Sequence, residues 1–230
     1  MSKKIVKKRK WKIGNLLLVL LVLAGLVFGV YSLLKIPVQN IVIKNTRYLK
    51  DDYILELANI KDYPEFVLTS SKKITTSLEK SPYIQKATLR KKWKFLYEIT
   101  IQEEKPLFFD TNQNQFVFDD GTMVAEDNTI SKNFLVPRLL NYVPDTKYKK
   151  FVEAMGNVKD NTISKISDIE YQPNDYDKDR FLLYMDDGNM VYLTLTKFKM
   201  INHYNEVLEQ LENHKGILYL DNGNHFQIKE

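Results

Sequence analysis

The sequence predicts an α+β protein carried on a single N-terminal transmembrane helix. After the helix comes a small strand-helix-helix-strand-strand unit, then a mixed β-rich domain with a late amphipathic helix. Three observations predict this. Residues 13–34 hold twenty-two residues without a charge, behind a start in which seven of twelve residues are Lys or Arg. Residues 36–105 enclose two short helical patterns between strand patterns, and residues 106–230 repeatedly pair apolar runs across Gly-containing turns.

A helix over residues 13–34 spans roughly 33 Å at about 1.5 Å per residue, enough to cross a hydrocarbon core of about 30 Å. Lys3, Lys4, Lys7, Lys8, Arg9, Lys10 and Lys12 resist translocation, so they are expected to stay cytoplasmic and to send everything after Lys35 outside. A cleaved signal peptide shares the basic start, but its apolar region covers only about 7–15 residues before a small-residue cleavage site. Here the apolar run continues to Leu33, Leu34 and, past Lys35, Ile36 and Pro37.

The formal charge of +5 has a topological origin. Eight of the thirty-four basic residues lie at or before Lys35 and all twenty-nine acids lie after it, so residues 36–230 carry a net charge of −3. The basic tail suits orientation and anionic inner-leaflet lipid. No basic face interleaved with aromatics argues for nucleic acid in the external part. With 44% apolar residues and no low-complexity tract, the external 195 residues or so are expected to fold. The chain has no Cys, so neither a disulfide nor a lipid-modified Cys supports it.

The external part opens with Val38, Ile41 and Ile43 among polar neighbours, a short strand. Asn45 and Thr46 then read as a turn, because Asn tolerates positive φ. Asp51 is a reasonable cap for a helix with Ile54, Leu55, Leu57 and Ala58 on one side. Pro64 interrupts. A second helix follows from about Ser71, with Ile74 and Leu78 four apart, and ends at Ser81 and Pro82. Ile84, Lys86, Thr88 and Arg90 then alternate with Gln85, Ala87 and Leu89, and Phe95, Tyr97, Ile99 and Ile101 alternate with polar residues. These are two strands with a tight connection near residues 91–94. Two helices on one face of a three-stranded sheet satisfy this order.

A resemblance rests on these residues. The strand-turn-helix of residues 38–58, the stretch Leu78-Glu79-Lys80-Ser81-Pro82-Tyr83-Ile84-Gln85-Lys86-Ala87, the run Arg90-Lys91-Lys92-Trp93 and the stretch Ile99-Thr100-Ile101-Gln102-Glu103-Glu104-Lys105-Pro106 resemble an FtsQ-type POTRA domain. The order of tail, span, POTRA module and β-rich domain resembles the FtsQ/DivIB family of bacterial division proteins over nearly the whole chain. Asn45 stands where the family often has a turn Gly, and Lys94 where a Pro commonly follows the Trp. The expected division is a basic cytoplasmic tail at 1–12, a transmembrane helix at 13–34, a POTRA-like domain at 36–105 and an FtsQ/DivIB-type β-domain at 106–230.

Beyond Pro106, Phe116, Val117, Phe118, Met123 and Val124 flank Asp119-Asp120-Gly121. Residues 181–185 and 190–195 flank Asp186-Asp187-Gly188-Asn189. Both read as hairpins. A helix is expected over 147–155 and a strand through Ile166, Ile169 and Tyr171. Phe198, Ile201, Tyr204, Val207, Leu208 and Leu211 recur at helical spacing, with Gly216 as a plausible stop. Residues 217–220 and 225–228 bracket Asp221-Asn222-Gly223-Asn224 as a last pair of strands.

Catalytic, cofactor and metal signatures are not found in the sequence, and no small-molecule substrate is expected. His203, His214 and His225 lie eleven apart, not in an HExxH arrangement. No GxSxG or phosphate-cradling Gly loop occurs. The acidic pairs sit beside Gly in turns, which favours turn chemistry over a Ca²⁺ cage or glycosidase carboxylates.

Interaction surface remains. Gly25 and Gly29 make a small-xxx-small step that would let a second helix approach the span. Open sheet edges leave backbone N–H and C=O groups for an added strand. The resemblance implies such an edge at the C-terminal strand, around Tyr219, Leu220, Asn222, Gly223 and Phe226, and partners of the FtsL-like and FtsB/DivIC-like kind, small bitopic coiled-coil proteins, besides the lipid bilayer. Tyr219 and Phe226 also suit core filling on one face of the strand. The expectation is a non-enzymatic divisome scaffold, a type II single-pass membrane protein at the septum. An anchored cell-wall enzyme would require a convergent titratable pair, for which the sequence offers no pattern. A POTRA-type chaperone or transport component would ordinarily show several POTRA copies or a barrel.

Overall fold

A computed structural model of the chain describes residues 13–126, 130, 133–210 and 214–228. It divides into two compact units, one of residues 1–44, 51–78 and 87–100 and the other of residues 45–50, 79–86 and 101–230.

In the first unit α1, Ile13–Leu34, has no charged residue and buries none of its side chains, the pattern of a helix whose solvent is lipid. Six residues past Leu34 β1 begins, Asn40–Lys44, and it runs parallel to β3, Leu96–Glu103, in a register that sets Asn40 opposite Leu96 and Lys44 opposite Thr100. β2, Ile84–Lys92, lies on the other side of β3. Helices α2, Asp51–Leu57, and α3, Ser71–Leu78, contribute buried Ile54, Ile74 and Leu78 to a core with Tyr97 and Ile99 of β3. Asp51 and Asp52 occupy the first turn of α2, where the helix dipole favours acids. The alternation expected of β3 is present. That of β2 is broken, because Ile84 and Ala87, three apart, are both buried. Asn45 has the positive φ its turn requires, +64°. Lys94 takes +61°, a backbone that Pro, locked near −65°, cannot adopt.

The second unit is built on a nine-stranded mixed sheet. In chain order its strands are β4 (Pro106–Asp110), β5 (Gln115–Phe118), β6 (Met123–Ala125), β7 (Arg138–Leu139), β8 (Ile166–Tyr171), β9 (Arg180–Met185), β10 (Met190–Thr194), β11 (Gly216–Tyr219) and β12 (His225–Ile228). The spatial order is β12-β11-β10-β9-β8-β7-β4-β5-β6. Helices α4, Asp145–Gly156, and α5, Asp160–Ile163, with a 3-10 helix at Leu195–His203 and α6 at Tyr204–Gln210, accompany it. Phe151 of α4 stacks on Phe181 of β9 with ring centroids 4.8 Å apart, and Phe198 meets both edge-on. A second aromatic group gathers Phe116, Phe118, Tyr48 and Tyr83 around Phe134. Glu103 ties residues 47–49 to this unit by accepting three backbone N–H groups at 2.9–3.1 Å.

Two expectations are corrected. The helix expected through residues 198–211 is 3-10 as far as His203 and α only from Tyr204, and Leu211 lies outside the described residues. Gly216 is no helix stop. It opens β11, and a Cβ there would collide with the Gln227 carbonyl and the Phe226 ring. Two strands, β4 and β7, had no distinct signal in the sequence. The seven N-terminal basic residues also lie outside the described residues.

Candidate functional site

The nine-stranded sheet closes on β12. Its one neighbour among the described residues is β11, with Gly216 opposite Ile228 and Tyr219 opposite His225. The hairpin turns through Asp221 to Asn224, where Gly223 and Asn224 take φ of +80° and +47°. Alternate residues of the four in β12 therefore present backbone N–H and C=O groups along an open margin.

On the face turned from the core, planar groups stack across four strands. The Arg180 guanidinium of β9 lies 3.6 Å from the centre of the Tyr192 ring on β10. Tyr192 stacks on Tyr219 of β11 at 5.4 Å, and Tyr219 on His225 of β12 at 4.6 Å with the planes 9° apart. Arg180 Nε donates to the Asp221 carboxylate at 2.7 Å, and Lys197 Nζ donates to the carbonyls of Leu220 and Asp221. The turn before β12 is thus held by two cations while its last ring stays exposed.

On the other face, a groove of about 390 Å³ runs between the helical segment and the last hairpin, with Met200, Val207, Leu218, Leu220 and Phe226 among its lining residues. Tyr204 forms one wall. Its hydroxyl donates to Asp187 at 2.8 Å and accepts from Asn189 Nδ2 at 2.9 Å, and burial is the first cause pushing its ionisation above the ordinary range. Asn189, 1% exposed, also accepts the Gly216 N–H at 2.8 Å, so one side chain links the β9–β10 turn, α6 and the start of β11.

Of the residues singled out in the sequence, Tyr219 lies half-buried in the stack, Asn222 and Gly223 are exposed in the turn, and Phe226 lines the groove. Leu220 is 6% exposed, and its side chain belongs to the core and the groove floor. A side chain at Gly25 or Gly29 would meet nothing within 4 Å, so that side of α1 is open. Arg180, Tyr192 and Asn189 were not foreseen. Each acts through strand register or a distant partner, which spacing along the chain does not encode.

The acidic pairs do turn chemistry. Asp120 accepts the Thr122 N–H at 2.7 Å and Asp187 the Asn189 N–H at 2.9 Å, beside glycines at φ +84° and +88°. A larger cavity of about 840 Å³ borders Asp110, Asp119, Asp120, Tyr148 and Val152. Asp110 is buried and accepts the Tyr148 hydroxyl at 2.7 Å and two backbone N–H groups of its own turn. Burial, then that carboxylate, raises the Tyr148 phenol well above its ordinary range. No group of three or more His, Asp or Glu is arranged to hold a metal ion among the described residues.

The model of the POTRA domain, FtsQ-type, matches residues 36–104. The cell division protein DivIB of Brevibacillus brevis is 28% identical over 224 residues, covering 93% of this chain and 84% of that protein. DivIB of Bacillus subtilis is 23% identical over 232 residues, covering 97% and 88%. A solved structure, the major extracytoplasmic domain of the trans isomer of DivIB from Geobacillus stearothermophilus, is similar over 48% of this chain and 96% of that one, at 18% identity and a TM-score of 0.38. The chain thus combines an apolar N-terminal helix long enough to cross a membrane, an FtsQ-type POTRA domain and a β-rich C-terminal region, and it is similar to DivIB cell-division proteins over nearly its whole length.

Proposed function

We propose that the chain is a non-enzymatic scaffold of the divisome, oriented with its N-terminus in the cytoplasm and the residues past the span outside, and concentrated at the septum. Its β12 margin captures the external part of small bitopic coiled-coil partners of the FtsL-like and FtsB/DivIC-like kind by strand addition. The observation that carries this reading is the outermost position of β12 beside an apolar groove. An incoming strand gains main-chain hydrogen bonds from the margin and places one apolar side chain against Phe226 and Leu220. Tyr219 stiffens the strand behind it, and Asn222 and Gly223 shape the turn.

The remaining assignments follow the same reading. The basic residues from Lys3 to Lys12 fix topology, and Gly25 and Gly29 admit a neighbouring helix. The domains run 1–12, 13–34, 36–105 and 106–230. Confinement to a membrane plane raises the effective concentration of anchored partners, so modest contacts accumulate into stable assembly.

Phe226→Asp in the full chain tests the docking edge by co-purification with FtsL-like and DivIC-like proteins from membranes. Capture is expected to be lost, whereas Val124→Asp at the opposite end of the sheet leaves it intact. Unchanged capture by Phe226→Asp removes the edge-strand mechanism. A fluorescent fusion is expected to form a midcell band in dividing cells.

A further inference from the structure

The first unit carries an exposed surface that partner capture does not use. At the end of β2, residues 86–94 contain Lys86, Arg90, Lys91, Lys92 and Lys94 and no acid. Between the last two stands Trp93, 88% exposed. Lys94 and Phe95 follow it with φ of +61° and +55°, two consecutive non-Gly residues in a backbone region that side chains disfavour. The turn is held in this conformation with the indole outward. Beside it, Val67 and Leu68 are 48% and 54% exposed. Lys91 joins the two segments, its ammonium donating to the carbonyls of Phe66, Val67 and Thr69 at 2.5–3.1 Å.

Topology fixes which end of the sheet this is. The start of β1 pairs with the start of β3, and the Gln39 N–H donates to the Phe95 carbonyl at 2.9 Å. Gln39 is five residues past Leu34, the last residue of α1, so at most about 18 Å of extended chain separates them. Contacts shorten this further. Lys35 pairs with Glu65 at 2.9 Å, and the Phe66 N–H donates to the Ile36 carbonyl. The exposed Trp, the apolar pair and the cations therefore all lie at the end where the chain leaves α1.

We infer that this span-proximal tip, Trp93 with Val67 and Leu68 among Arg90, Lys92 and Lys94, rests on the outer surface of the bilayer that α1 crosses, with the indole at headgroup level and the cations on anionic lipid phosphates. Trp prefers that depth because its ring is apolar and its N–H polar. Lysine and arginine stems lie along apolar surface while their charges reach the phosphates. Exposed apolar groups at one end of a unit, accompanied by an excess of cations, match a lipid interface better than water. Glu98 is shared between Lys44 and Lys92, and Glu65 pairs with Lys35, so Arg90 and Lys94 carry most of the phosphate contact. Docking fixes the tilt of the first unit against the membrane.

The inference rests on α1 spanning the bilayer, and the experiment separates the two. The full chain carrying Trp11→Phe, with Trp93 as its sole indole, is placed in nanodiscs of phosphatidylcholine alone or mixed with phosphatidylglycerol, with bromine near the top of the acyl chains. Trp93 emission is expected to shift blue and to be quenched in the anionic discs. Most of that quenching is expected to disappear in phosphatidylcholine, in high salt and with Arg90→Gln plus Lys94→Gln. A second chain with Tyr31→Trp as its only indole reports on α1. If Tyr31→Trp is quenched while Trp93 keeps a water-like emission and full acrylamide access, the docking is overturned and the span stands. If Tyr31→Trp is not quenched either, the span fails and the docking with it. Quenching of Trp93 that is equal in both lipids and indifferent to the charge substitutions overturns the anionic contact.

Discussion

Gly216 and Gln227 approach each other across the last hairpin so closely that a Cβ on Gly216 would overlap the Gln227 carbonyl and meet the Phe226 ring. The nearest obstructing atom is a backbone oxygen, which yields only if β12 moves. Gly216→Ala is expected to destabilise the second unit on the order of 2–3 kcal/mol, the scale of overpacking. It should also speed amide exchange across residues 225–228 before the rest of the sheet. Urea unfolding and hydrogen exchange measure both.

Asn189 is the acceptor for the buried Gly216 N–H and a donor to Tyr204. Asn189→Leu leaves that N–H without its acceptor and breaks the link to α6. The expected cost is roughly 1–3 kcal/mol, the penalty for stranding a buried donor. Tyr204→Phe should cost less, since it removes one hydroxyl and retains the ring. The ordering of the two urea midpoints checks this.

Burial, reinforced by Asp119 and Asp120, raises the Glu104 carboxyl from the ordinary 4.5 to about 7, and its Oε2 is buried with no hydrogen-bond partner. Between about 4.5 and 7 the folded chain keeps a proton that the unfolded chain has released, so stability falls as pH rises through that window. Glu104→Gln is expected to flatten the dependence and to exceed the parent above about pH 7 by on the order of 2 kcal/mol. Urea midpoints at pH 5 and pH 8 decide it: a parent more stable at pH 8 contradicts the assignment.

Lys91 uses its three donors on three carbonyls of residues 66–69, and burial lowers its ammonium from the ordinary value. Lys91→Met should loosen that segment and cost roughly 1–3 kcal/mol. Amide exchange over residues 64–70 is the measurement, with the second unit as an internal reference.

The sequence was most legible where one face of an element is buried. Tyr97, Ile99 and Ile101 alternate in β3 because the other face is more polar, and the turn glycines 121, 188 and 223 announce their positive φ through a preceding Asp or Asn. Legibility failed where burial is two-sided. Pro106, Leu107 and Phe108 are all buried, so β4 has no alternation, and β7 is only two residues long. Phe198, Ile201, Tyr204 and Val207 recur every third residue, a spacing that fits a 3-10 helix as well as an α-helix, and the structure uses each in turn. In the candidate site the hairpin and its outer position were legible from local pattern and family order. The Arg180 to His225 stack was not, because it exists only once four strands are in register.

β11 runs parallel to β10, so it joins the sheet only by way of the crossover through the 3-10 helix and α6. β12 can attach only after that long-range pairing has formed, which makes it one of the slower contacts to close. If β12 is the docking edge we propose, that landing strip is assembled late, and recruitment through it would double as a maturity check on the molecule doing the recruiting.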